Sequence, residues 1–271
     1  MAKARDRKCE IQVLNNIAQV GLKRFPAERY AIVKESKDPQ AILVRSADLH
    51  KHEFGPSLRA VGRAGAGVNN IPVAALSKRG IPVFNAPGAN ANAVKELVLA
   101  GMLIAARNLG PALEFVKGLD GGDIDKTVES GKKQFAGFEL PGHTLGVIAL
   151  PHLGASTAEA EDNSAVMVVD EVRDYLEHGN LQNAVNFPDA QMPREAPYRL
   201  AIANANVPDM LGRISHTLGK RKINIHNMLN KSKGEMAYTL VDTDTPVPGE
   251  VMDELCRTAG VLAVRYLPVE G

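Results

Sequence analysis

Leu58-Arg59-Ala60-Val61-Gly62-Arg63-Ala64-Gly65-Ala66-Gly67-Val68-Asn69-Asn70 carries an apolar run straight into a glycine-rich turn. A short apolar run bounded by turn residues reads as a buried strand, here Leu58–Val61. The pattern recurs at Ile11–Leu14, Tyr30–Val33, Ala41–Val44 and Ile81–Phe84, with punctuation at Asn15-Asn16 and Asn85-Ala86-Pro87-Gly88. Val73–Arg79 reads as a short helix stopped by Gly80. Strands alternating with helices predict a parallel sheet covered by helices.

The turn is not a dinucleotide fingerprint. Gly65-x-Gly67 lacks a third glycine because position 70 is Asn, and the place of the ribose-binding acid about twenty residues on holds Asn85. Its backbone N–H groups could instead approach a phosphate or carboxylate, with Arg63 adding charge; the bland alternative is a tight turn. Arg45-Ser46 ends the third apolar run, where ligands gather in open α/β sheets and an arginine can fork a carboxylate. A solvated surface arginine is the competing reading.

Composition narrows the field. Over 271 residues, 32 Lys+Arg face 31 Asp+Glu, which excludes a strongly basic nucleic-acid or anionic-membrane binder. Hydrophobic residues make up 45 %, enough for a sizeable core in one or two domains. Cys9 and Cys256 exclude a disulfide framework and suit a reducing compartment. No apolar run approaches the roughly 18 residues of a membrane helix, and no signal-like segment follows Met1. A cytoplasmic protein with neither nucleic acid nor membrane as partner is expected.

In the middle of the chain, Ala91–Asn108 reads as a long helix ended by Asn108-Leu109-Gly110-Pro111. Lys117–Gly137 reads as loop or weak helix. Thr144–Ile148 reads as a strand, followed almost at once by Pro151-His152-Leu153-Gly154-Ala155-Ser156-Thr157. Ser156 and Glu159 suggest a capping box for a helix that stops at Gly179, with Ala165, Val169, Val172 and Leu176 on its buried face. His152 lies on a loop among small residues, accessible for acid–base chemistry, although a lone histidine is more often structural. His50-x-His52 lacks a third ligand, so no metal site is assigned.

Three prolines mark 187–197 as a linker. After it come strand Arg199–Ala203, a helix from Pro208 to about Lys220, strands Ile223–Leu229 and Met236–Val241, helix Glu250–Thr258 and strand Val261–Leu267. That is βαββαβ, a ferredoxin-like unit.

Together these stretches resemble the D-isomer-specific 2-hydroxyacid dehydrogenase family, in its D-3-phosphoglycerate dehydrogenase branch. The matching segments are Leu43–Ser46, Val61–Ile71, Val83–Asn90, Glu139–Ile148, Pro151–Ser156 and Asn183–Pro188, and the tail resembles that branch's ACT domain. The resemblance implies an α/β chain: a flavodoxin-like substrate domain over 1–188 with a vestigial nucleotide-domain junction near 145–152, a linker over 189–197, and an ACT domain over 198–271. It implies that Arg45, Ser46, Arg63 and Gly65 hold a small phosphorylated hydroxy acid. Lys132 or Lys133 would reach the same site. His152 would be the catalytic histidine that takes the hydroxyl proton while hydride leaves for NAD. Ala66, Leu153, Gly154 and Ala155 would be residual cofactor contacts, and Asn204, Asn206 and Asn224 would bind an effector such as L-serine. A homo-oligomer is implied as well.

One departure matters most. In the family, a strand like Leu145–Ile148 runs into Gly-x-Gly-x-x-Gly; here Ala149-Leu150-Pro151-His152 follows. The central Rossmann domain, on the order of 100 residues, is largely absent. With it go the pyrophosphate cradle and the partners that would orient His152. The expected function is therefore that of a phosphoglycerate dehydrogenase homologue of L-serine biosynthesis, catalytically impaired. The alternatives are a non-catalytic ligand-binding or regulatory ACT protein, or a deletion fragment. The helices at 91–108 and 157–178 would lose their usual partner layer. An apolar face larger than a few hundred Å2 is then expected, unless they pack on each other or on a second subunit.

Overall fold

The computed structural model describes residues 8–146, 149–150 and 153–269. These fall into two compact units: the residues up to Ala89 with those from Glu161, and residues Asn90–Ala160.

The first unit holds two sheets. In the first, β1 (Cys9–Leu14), β2 (Tyr30–Val33), β3 (Ala41–Val44), β4 (Ala60–Arg63) and β5 (Val83–Phe84) are all parallel, in the order β2-β1-β3-β4-β5. This is the flavodoxin-like order. The central strand β3 is buried along its whole length, as parallel strands covered on both faces must be. Two short helices, α1 (Gln19–Leu22) and α2 (Val73–Lys78), join these strands.

The second sheet contains β6 (Tyr198–Ala205), β7 (Ile225–Lys233), β8 (Met236–Thr243) and β9 (Val261–Pro268), antiparallel in the order β7-β8-β6-β9. With α7 (Met210–Lys220) and α8 (Gly249–Arg257) it forms the expected βαββαβ unit. Alternation along β6 decides its packing. Leu200 and Ile202 point into a core with Ile214 and Leu218 of α7 and Val251 and Leu255 of α8. Ala201 and Ala203 point the other way.

That other face packs on α6 (Ala158–His178), and α6 is what joins the two sheets. Ala165, Val168, Val169, Val172 and Tyr175 are buried in one core with Ile11 and Leu43 of the parallel sheet and Tyr238 and Leu240 of the antiparallel one. Close approach depends on glycine at Gly62: a Cβ there would lie 2.7 Å from a Val168 methyl and 2.9 Å from a Val172 methyl. The helix ends as its sequence predicts, with Gly179 at φ 75°. Its last carbonyls are satisfied from the second sheet. Tyr238 Oη donates to Gly179 O at 2.7 Å, and Arg265 donates to Tyr175 O and Leu176 O at 2.8 Å each. The expectation of an uncovered α6 face is thus corrected, because the chain's own antiparallel sheet covers it. Residues Phe187, Ala190 and Met192, in and beside the expected linker, are also buried in this core.

Within Asn90–Ala160, α3 (Ala91–Ala106) is the expected long helix, but Gly110-Pro111 does not end helical structure. Asn108 at φ 50° breaks α3, and α4 (Leu109–Lys117) starts at once. Pro111 sits in its first turn, where no intrahelical N–H is lost. The stretch expected as loop or weak helix contains the short helix α5 (Ile124–Gly131), capped by Asp123, and a 3-10 turn at Lys132–Phe135. Thr144–Gly146 are not in a strand, and residues 147–148 lie outside the described residues. The cap of α6 is Thr157 rather than Ser156: Thr157 Oγ1 accepts from Ala160 N at 3.2 Å. The helix begins at Ala158, so Ser156 falls one position too early. Val94, Leu99, Leu103, Ile104, Leu113 and Val116 are exposed on α3 and α4. Among the described residues, no single helix is long and apolar enough to cross a membrane.

Candidate anion site at the carboxyl ends of the parallel strands

Parallel pairing brings the carboxyl ends of β1, β3 and β4 to one edge of the sheet, with Leu14 opposite Val44 and Val44 opposite Arg63. The residues that follow form the site. Asn15, in left-handed conformation at φ 69°, ends β1. Its Oδ1 accepts from Ser46 N at 3.1 Å and from Ala47 N at 2.6 Å, fixing the loop after β3. Asn70 Nδ2 holds the same loop through Ala47 O at 2.8 Å. Sequence reading treats Asn15 as punctuation only; its role needs the neighbouring strand.

Arg63 donates from Nε to Arg45 O at 3.1 Å, which ties the two arginines together. Its guanidinium is half-buried, and among the described residues no carboxylate pairs with it. Burial, and then the Arg45 charge, pull its pKa below the usual arginine value. A cation without a counter-ion, held beside a second cation, is what an anion site requires. Gly65, at φ 151°, makes room for it: a Cβ there would lie 2.5 Å from Arg63 Nη1. Arg45 Nη1 lies 2.8 Å from Glu161 Oε1. Ser46 is exposed beside these groups.

Arg45, Ser46, Arg63 and Gly65 therefore come together, with Ala66 exposed on the same turn. Asn85 Nδ2 anchors that turn through Ala66 O at 2.5 Å. His152 lies outside the described residues. Leu153, Gly154 and Ala155 belong to the 90–160 unit, where Gly154 sits against Val94. In the same unit Lys132 pairs with Glu129. Asn204 and Asn206 line a small cavity of about 180 Å3 with Asn230. Asn204 is buried and accepts from Thr239 Oγ1 at 3.3 Å. Asn224 lies at the other end of the sheet, bonded to Asp244, so the three asparagines do not converge within one chain.

Among the described residues, the turns after the parallel strands do not fit a dinucleotide. No turn after the five parallel strands carries Gly-x-Gly-x-x-Gly. The glycine turn after β4 leads to α2 only at Val73, behind Pro72, so no helix N-terminus meets the glycines. A groove of about 1030 Å3 runs elsewhere, along α6, with Arg29, Met167, Glu171, Glu177 and Asn183 among its walls. Glu171 there is buried, and its Oε2 has no hydrogen-bond partner. Burial pushes its carboxyl up to about 8 against the opposing Asn183 hydrogen bond.

Comparison with known proteins supplies a context. The family model for the D-isomer specific 2-hydroxyacid dehydrogenase catalytic domain matches residues 3–186. The D-3-phosphoglycerate dehydrogenase of Archaeoglobus fulgidus is 38 % identical over 137 residues, which cover 48 % of this chain and 24 % of that protein. The corresponding enzyme of Methanocaldococcus jannaschii is 36 % identical over 53 % of this chain and 26 % of its own. The hydroxypyruvate reductase of Thermotoga maritima is 32 % identical over 55 % of this chain and 46 % of its own. The chain thus spans about a quarter of the phosphoglycerate dehydrogenases it matches. Among solved structures, an NADPH-dependent glyoxylate/hydroxypyruvate reductase of Sinorhizobium meliloti covers 69 % of this chain and is itself fully covered (TM-score 0.49, 13 % identity). The ACT domain of a Chlorobium tepidum GTP pyrophosphokinase covers 26 % of this chain and is itself 95 % covered (TM-score 0.24, 19 % identity). Strand order and register, rather than these scores, carry the fold assignment.

Proposed function

The chain belongs to the D-isomer specific 2-hydroxyacid dehydrogenase family, and on that premise we propose that it binds a small phosphorylated hydroxy acid at Arg45, Ser46, Arg63 and Gly65 without turning it over with NAD. The reading rests on one observation: Arg63 is a half-buried guanidinium with no carboxylate partner among the described residues, tied to Arg45 at the carboxyl ends of the parallel strands. 3-Phosphoglycerate, which offers a carboxylate and a phosphate to two guanidinium groups, is the ligand class of choice. Arg45 and Arg63 bind and orient it, Ser46 adds a hydroxyl, and the Gly65 turn offers its backbone.

Hydride transfer needs donor and acceptor carbons held about 3–3.5 Å apart. The turns after the five parallel strands lack the Gly-x-Gly-x-x-Gly spacing, which supports a reading in which substrate binding is kept without hydride transfer. In this reading residues 198–271 act as a regulatory ACT module behind a substrate-type domain over 1–188. The protein then serves as a ligand-binding relative of a serine-pathway dehydrogenase in the cytoplasm.

Calorimetric titration of the full chain with 3-phosphoglycerate and with NADH tests this. Expected is saturable 3-phosphoglycerate binding that Arg63→Gln abolishes, no saturable NADH binding, and no reduction of 3-phosphohydroxypyruvate. Saturable NADH binding with turnover would restore the dehydrogenase reading. Absence of any hydroxy-acid binding would remove the anion site.

A further inference from the structure

We infer that Glu161 is a built-in competitor for the anion site, a specificity-determining residue whose carboxylate holds Arg45 until a doubly anionic ligand replaces it. This rests on the reading of Arg45 and Arg63 as an anion site. Glu161 lies in the first turns of α6, and its Oε1 is 2.8 Å from Arg45 Nη1. The two side chains remain 31 % and 42 % exposed, so a ligand can reach the pair and little stability is lost on opening it. The helix behind Glu161 cannot easily follow. Ala165, Val168 and Val169 are buried in the core, and Asp170 is held by Arg24 at 2.6 Å and Arg173 at 3.2 Å. Exchange is therefore a side-chain event on a fixed backbone.

The charge count gives the consequence. Among the described residues, two guanidinium groups share one carboxylate, and the one left without a carboxylate partner is Arg63. A ligand with a single anionic group takes Arg63 alone and leaves the Arg45–Glu161 pair closed. A ligand with two anionic groups satisfies Arg63 with one and displaces Glu161 from Arg45 with the other. Glu161 thus sets a cost on two-ended anions that simple ones do not meet, and narrows the preference that two free arginines would show.

The test uses the full chain and two probes, inorganic phosphate and 3-phosphoglycerate, titrated calorimetrically into wild type, Glu161→Gln and Asp162→Asn. Asp162 is exposed, one residue along the same helix, and its substitution removes the same charge without touching Arg45. In Glu161→Gln, 3-phosphoglycerate binding is expected to tighten about fivefold. Phosphate should gain less, so the preference between the probes widens, and Asp162→Asn should stay within about twofold of wild type. Equal affinities in wild type and Glu161→Gln would overturn the inference while leaving the anion site standing. So would an equal gain in Asp162→Asn, which would mark a general field effect. If neither probe binds wild type or Glu161→Gln, the anion-site reading itself has failed. Glu161→Ala serves as a second variant should the Gln form not reach the wild-type melting temperature.

Discussion

Arg199 and Asp242 face each other across β6 and β8 and close a two-point fork with neither side chain exposed: Nε to Oδ1 is 2.6 Å and Nη2 to Oδ2 is 2.8 Å. The remaining guanidinium hydrogens go to His178 O, Met192 O and Pro193 O. One cation thereby ties together the end of α6, the segment that follows it and the antiparallel sheet. Removing one partner leaves a buried charge uncompensated, which costs about 3–5 kcal/mol. Arg199→Met and Asp242→Leu should each lower the urea midpoint strongly. The double variant should recover a large part of the loss, and failure to recover would show that the carbonyl contacts of Arg199, not the fork, hold the junction.

Gly62 is the point where β4 meets α6. A methyl group there must displace Val168, Leu43 and Val172, so Gly62→Ala is expected to cost about 1–3 kcal/mol through overpacking. Adding Val168→Ala should return part of that stability. The check is a pair of denaturation curves with unchanged slope; additive losses would mean that the contact is not the cause.

Gly65 affects the site more than the fold. Its added Cβ would meet the movable end of Arg63 at a φ that disfavours side chains. Gly65→Ala should weaken 3-phosphoglycerate binding tenfold or more while lowering stability by only about 1–2 kcal/mol. Calorimetry and thermal melting on the same sample separate the two effects. A variant with intact affinity would show that Arg63 does not need this space.

Glu171 predicts a pH dependence. Its carboxyl is raised from 4.5 to about 8 in the folded chain, chiefly by burial. Below pH 4.5 it is protonated in both states and contributes no pH dependence. Between pH 4.5 and 8 the unfolded chain releases the proton and the folded chain keeps it, so this residue lowers stability progressively as pH rises. Glu171→Gln should therefore gain stability over wild type across that window, by a few kcal/mol at pH 8 and by little at pH 4.5. Melting curves at stepped pH give the result; a gain independent of pH would assign the effect to packing instead.

Much of this was legible in the residues. Tyr30–Val33 and Ala41–Val44 are strands to the residue, and the βαββαβ order of the C-terminal part follows from its periodicity. Each depends on side-chain alternation and on neighbours a few residues away, which a linear reading can see. The middle is less legible for the same reason. Gly110-Pro111 looks alike at a helix end and in a first turn, and Ser156 and Thr157 compete for one cap until the helix start is known.

By itself, the sequence determined the two sheet types, the glycine turn that lacks a dinucleotide fingerprint, and the arginines placed after β3 and within β4. Only the tertiary structure decided that α6 serves both sheets at once, that Asn15 fixes the loop bearing Ser46, that Arg199 finds Asp242 and that Glu161 covers Arg45. The physical reason is range. Strand and turn preferences arise from local sterics and hydrogen bonding, whereas these contacts join segments far apart in the chain and exist only once burial has brought their elements together.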